Sequence, residues 1–128
     1  MNSLDAKKID EEHFCLSSGG DDQQLAVFLI SLMRLGDVVL ARHKIYAHSS
    51  SIKGVTLMRS SENGFAIGSS SYDQRFKEWA LSFTEAGIQL TLKKVTRHCM
   101  SDMNGIAHVK TGEGTYQTVL VGQGLAIF

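Results

Sequence analysis

Apolar and polar positions follow the same pattern twice along this chain, at an offset of 51 residues and without a gap. Between the identical positions the replacements keep their character, as where Phe28 is matched by Trp79. Such a period predicts two copies of one structural unit, related by a pseudo-twofold axis. The identical pairs include Phe14/Phe65, Asp22/Asp73, Ser31/Ser82, Gly36/Gly87 and Gly54/Gly105.

Each copy begins with a short apolar-polar alternation, in residues 13–17 and again in residues 64–68. Alternation with a period of two residues predicts a strand with one buried face. The residues before the first strand, 1–11, are polar and are predicted to form a loose tail or a short helical lead-in.

The apolar residues that follow each strand recur at helical spacing. In the second copy Asp73 falls in the first turn, where an acidic group suits the helix dipole, and Gly87 takes the position after the helix. The pattern therefore predicts one helix in each copy, the first ending at Gly36. The apolar positions are Leu25, Phe28, Leu29, Leu32 and Leu35 in the first copy, and Tyr72, Phe76, Trp79, Ala80 and Phe83 in the second.

Residues 38–47 are compatible with a helix or a strand when taken alone. Their counterparts, residues 88–98, alternate as a strand, and the repeat therefore favours strands in both places. Further strands are predicted at residues 54–59 and 105–110, and at residues 116–121. The apolar end of the chain, residues 125–128, is expected to pair with the sheet.

These elements predict an α+β fold made by tandem duplication of a β-α-β-β unit. We expect a mainly antiparallel sheet of about seven or eight strands, curled by strand twist or closed into a barrel, with two helices on one face. One domain is expected over residues 1–128. It comprises the tail at 1–11, repeat units at 12–62 and 63–113, and closing strands at 114–128.

Composition narrows the functional classes. The 128 residues are 43% hydrophobic and 20% charged, with thirteen basic residues balanced by thirteen acidic ones. A nucleic-acid-binding protein normally carries a basic excess, so that class is disfavoured. The two cysteines form no disulfide framework, and no long apolar run predicts a membrane span. A cytoplasmic protein without a cofactor is expected.

Five histidines are the main chemical candidates, and none shows the spacing of a metal-binding motif. The repeat distinguishes one of these histidines from the others. His108 occupies the position of Leu57 in the first copy, which is a predicted core position. If the sheet curls, His43, His98 and His108 could face one cavity, and three imidazoles can hold zinc. The alternative is that they are ordinary packed or exposed histidines, and no metal ligand is assigned. The candidate ligand-binding residues are His108, His43, His98, Tyr116 and Tyr46.

The predicted order of elements resembles that of the bacterial effector-binding domains and of the vicinal-oxygen-chelate proteins. The first resemblance implies a small-molecule-binding module with a pocket at the junction of the repeats. The second implies a small enzyme with metal ligands on matching strands. His13 begins a strand as such a ligand would, but its counterpart is Gly64, and residues 124–127 carry no carboxylate. The usual metal ligands are therefore missing.

A third hypothesis is a protein-interaction or immunity-type factor that uses an open sheet face. A homodimer is expected, and the binder would take a small apolar or aromatic ligand. No catalytic residue is assigned, and enzymatic activity is the less favoured interpretation.

Overall fold

A computed structural model describes residues 2–33, 36–59, 64–98, 103–112, 115–122 and 124–127, which form eleven β-strands and no helix. The strands are β1 (Ser3–Lys8), β2 (His13–Gly19), β3 (Gln24–Met33), β4 (Gly36–Tyr46), β5 (Ile52–Arg59), β6 (Phe65–Ser71), β7 (Arg75–Thr84), β8 (Gly87–Arg97), β9 (Met103–Gly112), β10 (Thr115–Gly122) and β11 (Gly124–Ile127).

The strands form three antiparallel sheets in which each strand pairs with its neighbours in sequence. Sheet 1 contains β1–β4, sheet 2 contains β5–β8 and sheet 3 contains β9–β11. Equivalent positions of the repeat occupy equivalent places in the first two sheets. Leu16 pairs with Phe28 in sheet 1, and Ile67 pairs with Trp79 in sheet 2.

Successive sheets contact each other through their first strands, β1 with β5 and β5 with β9. Between sheets 1 and 2, the Val55 amide donates to Ser3 Oγ over 3.0 Å, and the Leu57 amide donates to Asp5 Oδ2 over 2.7 Å. Four-stranded antiparallel sheets arranged side by side with their first strands adjacent are the blades of a β-propeller. Sheets 1 and 2 match such blades, and the three-stranded sheet 3 is adjacent to sheet 2 through its first strand.

The main core lies between sheets 1 and 2. Sheet 2 is also covered on its other face, where Thr118 Oγ1 of sheet 3 lies 3.7 Å from Met58 Sδ. Sheet 2 is thus buried on both faces. The buried core residues include Cys15, Leu25 and Val27 of sheet 1, and Ile52, Val55, Ile67, Trp79 and Leu81 of sheet 2.

The predicted α+β fold with two helices is wrong, because both predicted helices are strands, β3 and β7. Phe76 is buried on one face of β7, whereas Trp79 and Leu81 are buried on the other. In a strand covered on both sides, apolar residues lose their period of two and can recur at spacings of three and four. That spacing is also the helical one, so the pattern did not distinguish the two structures.

The segments predicted to begin the two helices are hairpin turns. Asp22 Oδ1 accepts from the Gln24 amide over 3.2 Å, and Asp73 Oδ1 accepts from the Arg75 amide over 3.0 Å. A capping residue makes similar local bonds to backbone amides, so the same residue types suit both structures. Between each pair, Gln23 and Gln74 adopt φ of 67° and 64°, which turns the chain back into a hairpin. Gly87, with φ of 120°, begins β8 after another tight turn.

The strands predicted at residues 13–17, 38–47, 54–59, 64–68, 88–98, 105–110 and 116–121 are confirmed with small shifts of their ends. The predicted tail contains β1. The single curled sheet or barrel is replaced by three separate sheets, and sheet 3 continues the repeat in series. The resemblance to the effector-binding domains and the vicinal-oxygen-chelate proteins depended on a helix in each unit. The described residues contain no such helix, so the order of elements no longer supports it. Among the described residues there is no helix long and apolar enough to cross a membrane.

Candidate functional site

Four hydrogen-bonded side chains join sheet 1 to sheet 2. His48, in the loop after β4, lies with Nδ1 2.9 Å from Asp73 Oδ2 in the β6–β7 turn. Its Nε2 lies 2.8 Å from Ser69 Oγ on β6. Trp79 Nε1 on β7 donates to the same Ser69 Oγ over 3.0 Å. We call these four residues the His48 network.

The protonation of the His48 network follows from its partners. Because the Asp73 carboxylate only accepts hydrogen bonds, Nδ1 of His48 donates to it, and the neutral ring then accepts from Ser69 through Nε2. Burial lowers the pKa of His48 below its ordinary 6.5 despite the opposing effect of Asp73. Burial alone would raise the pKa of Asp73, but the hydrogen bonds from His48 and from backbone amides outweigh it and lower that pKa. The network thus contains a neutral imidazole and an ionised carboxylate.

The order of serine, histidine and aspartate in the His48 network is that of a nucleophilic triad, but the serine is not accessible. Ser69 is 0% exposed, and the side chains of His48 and Asp73 are 0% and 4% exposed. A nucleophile must reach a substrate, and Ser69 Oγ is instead surrounded by the imidazole and the indole. The network therefore acts as a structural connection between the two sheets.

Lys77 strengthens the same connection. Its Nζ donates to the Ala47 carbonyl over 2.6 Å and lies 5.9 Å from the centre of the Trp79 ring. The Ser49 amide donates to Asp73 Oδ2 over 3.2 Å. The segment from Ala47 to Ser49 is thus held against sheet 2 by backbone and side-chain bonds.

A cavity of about 480 Å³ runs across the first strands of the three sheets. Its wall is mainly polar, with Lys7, Lys53, Asp5 and His108 among the lining residues. Lys53 Nζ lies 3.7 Å from Asp21 Oδ1 and 4.7 Å from the centre of the Tyr72 ring. The cavity thus carries both signs of charge and suits a polar ligand better than the apolar one expected from sequence.

A second cavity, of about 420 Å³, lies on the face of sheet 1 that points away from sheet 2. Ser18, Asp22 and Phe28 line it, and they are the repeat counterparts of Ser69, Asp73 and Trp79. In sheet 2 these positions are covered by the His48 loop of sheet 1.

The candidate residues chosen from sequence lie on different elements. His108, on β9, lines the first-strand cavity, with Nδ1 3.2 Å from Thr118 Oγ1. His43 and Tyr46 are on β4, the outermost strand of sheet 1, and Tyr46 is 75% exposed. His98 follows β8 and lines a third cavity. The side chain of Tyr116 lies outside the described residues.

His43 lies in sheet 1, His98 follows the last strand of sheet 2, and His108 lies in sheet 3. The three histidines that could have faced one cavity are therefore in or beside three different sheets. Within the described ranges, no group of three or more histidine, cysteine, aspartate or glutamate side chains is placed to hold a metal ion.

The His48 network was not predicted from the sequence. Trp79 was expected on the core-facing side of a helix and Asp73 in the first turn of that helix. One signal was present, because a serine, an aspartate four residues later and an aromatic six residues after that occur in both copies. His48 gives no such signal, since it lies 21 and 25 residues from its two partners.

No family model matches the chain, and no curated protein matches it. Among solved structures, the chain is similar to one titled "Crystal structure of Sqt1 from Chaetomium thermophilum solved by MR", with a TM-score of 0.50 and 14% identity. The alignment covers 98% of this chain and 34% of that one. The chain thus spans about a third of the length of the solved chain, and the likeness concerns the fold.

Proposed function

We propose that this chain is a protein-interaction module whose two end sheets bind further sheets of the same repeat, supplied by other copies of the chain. The observation that carries the proposal is a contrast in exposure between equivalent positions. Apolar side chains that are buried in sheet 2 have exposed counterparts on the outer faces of sheets 1 and 3, the faces that point away from sheet 2.

The contrast is large at three positions. Leu4 of sheet 1 is 51% exposed, whereas its counterpart Val55 is 3% exposed. In sheet 3, Val109 and Ile127 are 46% and 55% exposed, whereas their counterparts Met58 and Phe76 are 3% and 1% exposed. Exposed apolar surface of this kind is typical of protein interfaces.

The two outer faces are complementary. The outer face of sheet 1 corresponds to the face of sheet 2 that receives sheet 1. The outer face of sheet 3 corresponds to the face of sheet 2 that is presented to sheet 3. The outer face of sheet 3 in one copy therefore fits the outer face of sheet 1 in the next. This is a head-to-tail contact, which closes into a ring when the copies complete a turn.

The test measures mass by light scattering during size-exclusion chromatography over a range of protein concentrations. The native chain should form an oligomer, and either Leu4→Glu or Val109→Glu should weaken it. An equimolar mixture of the two variants should form heterodimers, because each variant keeps one intact face. Leu92→Glu is the matched control, since Leu92 is 44% exposed on the outermost strand of sheet 2.

Circular dichroism must first show that each variant is folded. A monomer at all concentrations, or an oligomer insensitive to both substitutions, would contradict the proposal. An oligomer lost only with Leu4→Glu would indicate a symmetric contact between two copies of sheet 1 and would overturn the head-to-tail arrangement.

A second candidate function is the binding of a small polar molecule in the first-strand cavity, which is favoured by its volume of about 480 Å³. Native mass spectrometry of the purified protein should then detect a bound small molecule. Lys7→Gln should reduce its occupancy, because Lys7 lines the cavity. Equal occupancy in the variant, or no bound mass in the native chain, would argue against this function.

A further inference from the structure

The end of the β7–β8 hairpin carries basic side chains where the β3–β4 hairpin carries neutral ones. We call Arg75, Arg97 and His98 the basic cluster. Because the two repeats share one backbone plan, a position that differs between them in charge is a candidate for function rather than for folding. The counterparts of the basic cluster, in the same order, are Gln24, Tyr46 and Ala47.

The backbone is the same at both hairpin ends. Arg75 pairs with Arg97 across the strands, as their counterparts do. The His98 amide donates to the Gln74 carbonyl over 3.0 Å, and the Ala47 amide donates to the Gln23 carbonyl over 3.1 Å. The hairpin can therefore form without the basic cluster.

The cluster also carries an electrostatic cost. Like charges directly opposite each other on paired strands are destabilising. Within the described part of the chain, neither Arg75 nor Arg97 forms an ion pair. The nearby Asp73 carboxylate is already engaged, because its oxygens accept from His48 Nδ1 and from the backbone amides of Ser49 and Arg75. The two arginines thus occupy directly opposed positions of paired strands, and neither has an ion-pair partner among the described residues.

The imidazole of His98 is a second polar group of the basic cluster without a partner among the described residues. It is 7% exposed, and neither ring nitrogen has a hydrogen-bond partner among the described residues. Burying a polar group without a partner is costly, and such groups in native proteins call for an explanation. His98 lines a cavity of about 240 Å³ together with Asp73, Gln74, Arg75 and Arg97.

We propose that this cavity binds a phosphoryl group through Arg75, Arg97 and His98. Guanidinium groups bind phosphate oxygens in a bidentate manner, and an imidazole N–H can supply a further donor. A dianion offsets the repulsion between the two arginines. It also gives the buried imidazole of His98 an anionic acceptor, which no described residue supplies within hydrogen-bonding geometry.

Binding is coupled to the protonation of His98. Burial lowers the pKa of His98, while the Arg75 backbone and the Asp73 charge oppose this effect. The charged groups that line the cavity beside the imidazole are Asp73, Arg75 and Arg97. A bound dianion adds negative charge and favours the imidazolium, so binding takes up a proton.

The test titrates the full chain with inorganic phosphate and, separately, with N-acetyl-O-phosphoserine amide, at constant ionic strength. Isothermal titration calorimetry should detect binding of at least one of them. The variant Arg75→Gln/Arg97→Tyr/His98→Ala places the residues of the first repeat in the second and should weaken binding at least tenfold, the equivalent of about 1.4 kcal/mol. Lys93→Gln/Lys94→Gln, on exposed positions of β8, is the matched control and should bind as the native chain does.

If the triple variant does not fold, Arg97→Tyr alone serves instead, because Arg97 is exposed. Binding of the phosphoserine derivative without inorganic phosphate indicates a phosphorylated side chain as the ligand, and binding of both indicates the phosphoryl group itself. The proposal is overturned if neither ligand binds, if the basic-cluster variants bind unchanged, or if acetate binds as tightly as phosphate.

Discussion

His48 Nδ1 lies 2.9 Å from Asp73 Oδ2, across the boundary between the first two sheets. The histidine belongs to the loop that ends sheet 1, and the aspartate belongs to a turn within sheet 2. Both side chains are almost fully buried. This hydrogen bond therefore links sheet 1 to sheet 2. For a substitution in sheet 2, the same substitution at the equivalent residue 51 positions earlier, in sheet 1, serves as a control.

Asp73→Ala should lower the free energy of unfolding by about 1–3 kcal/mol, because it leaves the buried Nδ1–H of the neutral His48 imidazole without its acceptor. It also removes the acceptor for the Ser49 and Arg75 amides. The matched control is Asp22→Ala, at the equivalent but exposed turn, which should cost about 1 kcal/mol or less. Urea unfolding followed by circular dichroism measures both. Equal losses would show that the contact with His48 contributes nothing.

Stability should decrease as the pH falls below about 6.5, the unfolded pKa of histidine. The native pKa of His48 is lowered, so the unfolded chain binds the proton first and protonation favours unfolding. One such proton contributes a slope of at most about 1.4 kcal/mol per pH unit between the two pKa values. His98 and His108, whose pKa values are also lowered by burial, add to the slope.

Asp73 acts in a lower pH range. Its native pKa lies below the ordinary 3.8, so its contribution is complete above that value and is lost as the pH falls through the native pKa. Urea unfolding at a series of pH values should therefore show two declines. His48→Gln should reduce the slope of the first, and an unchanged slope would exclude His48 as its source.

Trp79→Phe separates the hydrogen bond of the indole from its packing. The variant keeps an aromatic ring but removes the donor to Ser69 Oγ, and the expected loss is about 1 kcal/mol. Trp79→Ala should cost about 3–5 kcal/mol, because a large buried side chain is removed. Urea unfolding followed by circular dichroism compares the two. A loss for Trp79→Phe as large as that for Trp79→Ala would assign nearly all the energy to the hydrogen bond.

Gly54→Ala should destabilise the chain by about 1–3 kcal/mol, as overpacking does. A Cβ atom at Gly54 would lie 2.7 Å from Ile106 Cγ2 and 2.8 Å from Ser70 Oγ. At the equivalent Gly105 no described atom lies within 4 Å of the added Cβ, so Gly105→Ala should change the free energy of unfolding by less than about 0.5 kcal/mol. Thermal unfolding of the two variants tests how closely β5 and β9 approach each other. A loss at Gly105 as large as that at Gly54 would contradict this difference.

Part of the fold could be predicted because it depends on local pattern. Seven strands alternate clearly or share the pattern of a repeat partner that does, and their predicted positions agree with the structure. β7 could not be distinguished from a helix, because neighbouring sheets bury apolar residues on both of its faces. β3 carries apolar residues on both faces as well, although among the described sheets only sheet 2 covers it, and its pattern is equally ambiguous. Asp22 and Asp73 added to the ambiguity, since an aspartate that bonds to a nearby backbone amide suits a helix cap and a hairpin turn alike.

The sequence by itself determined the 51-residue repeat, the positions of most strands and the equivalence of residues between the copies. These are properties of local pattern and spacing, which a linear chain carries without folding. The tertiary structure decided which faces of the sheets are covered, that His48 meets Asp73, and that Arg75, Arg97 and His98 surround one cavity. The physical reason is that burial and electrostatic environment depend on which sheets pack together, and that packing joins residues far apart in sequence.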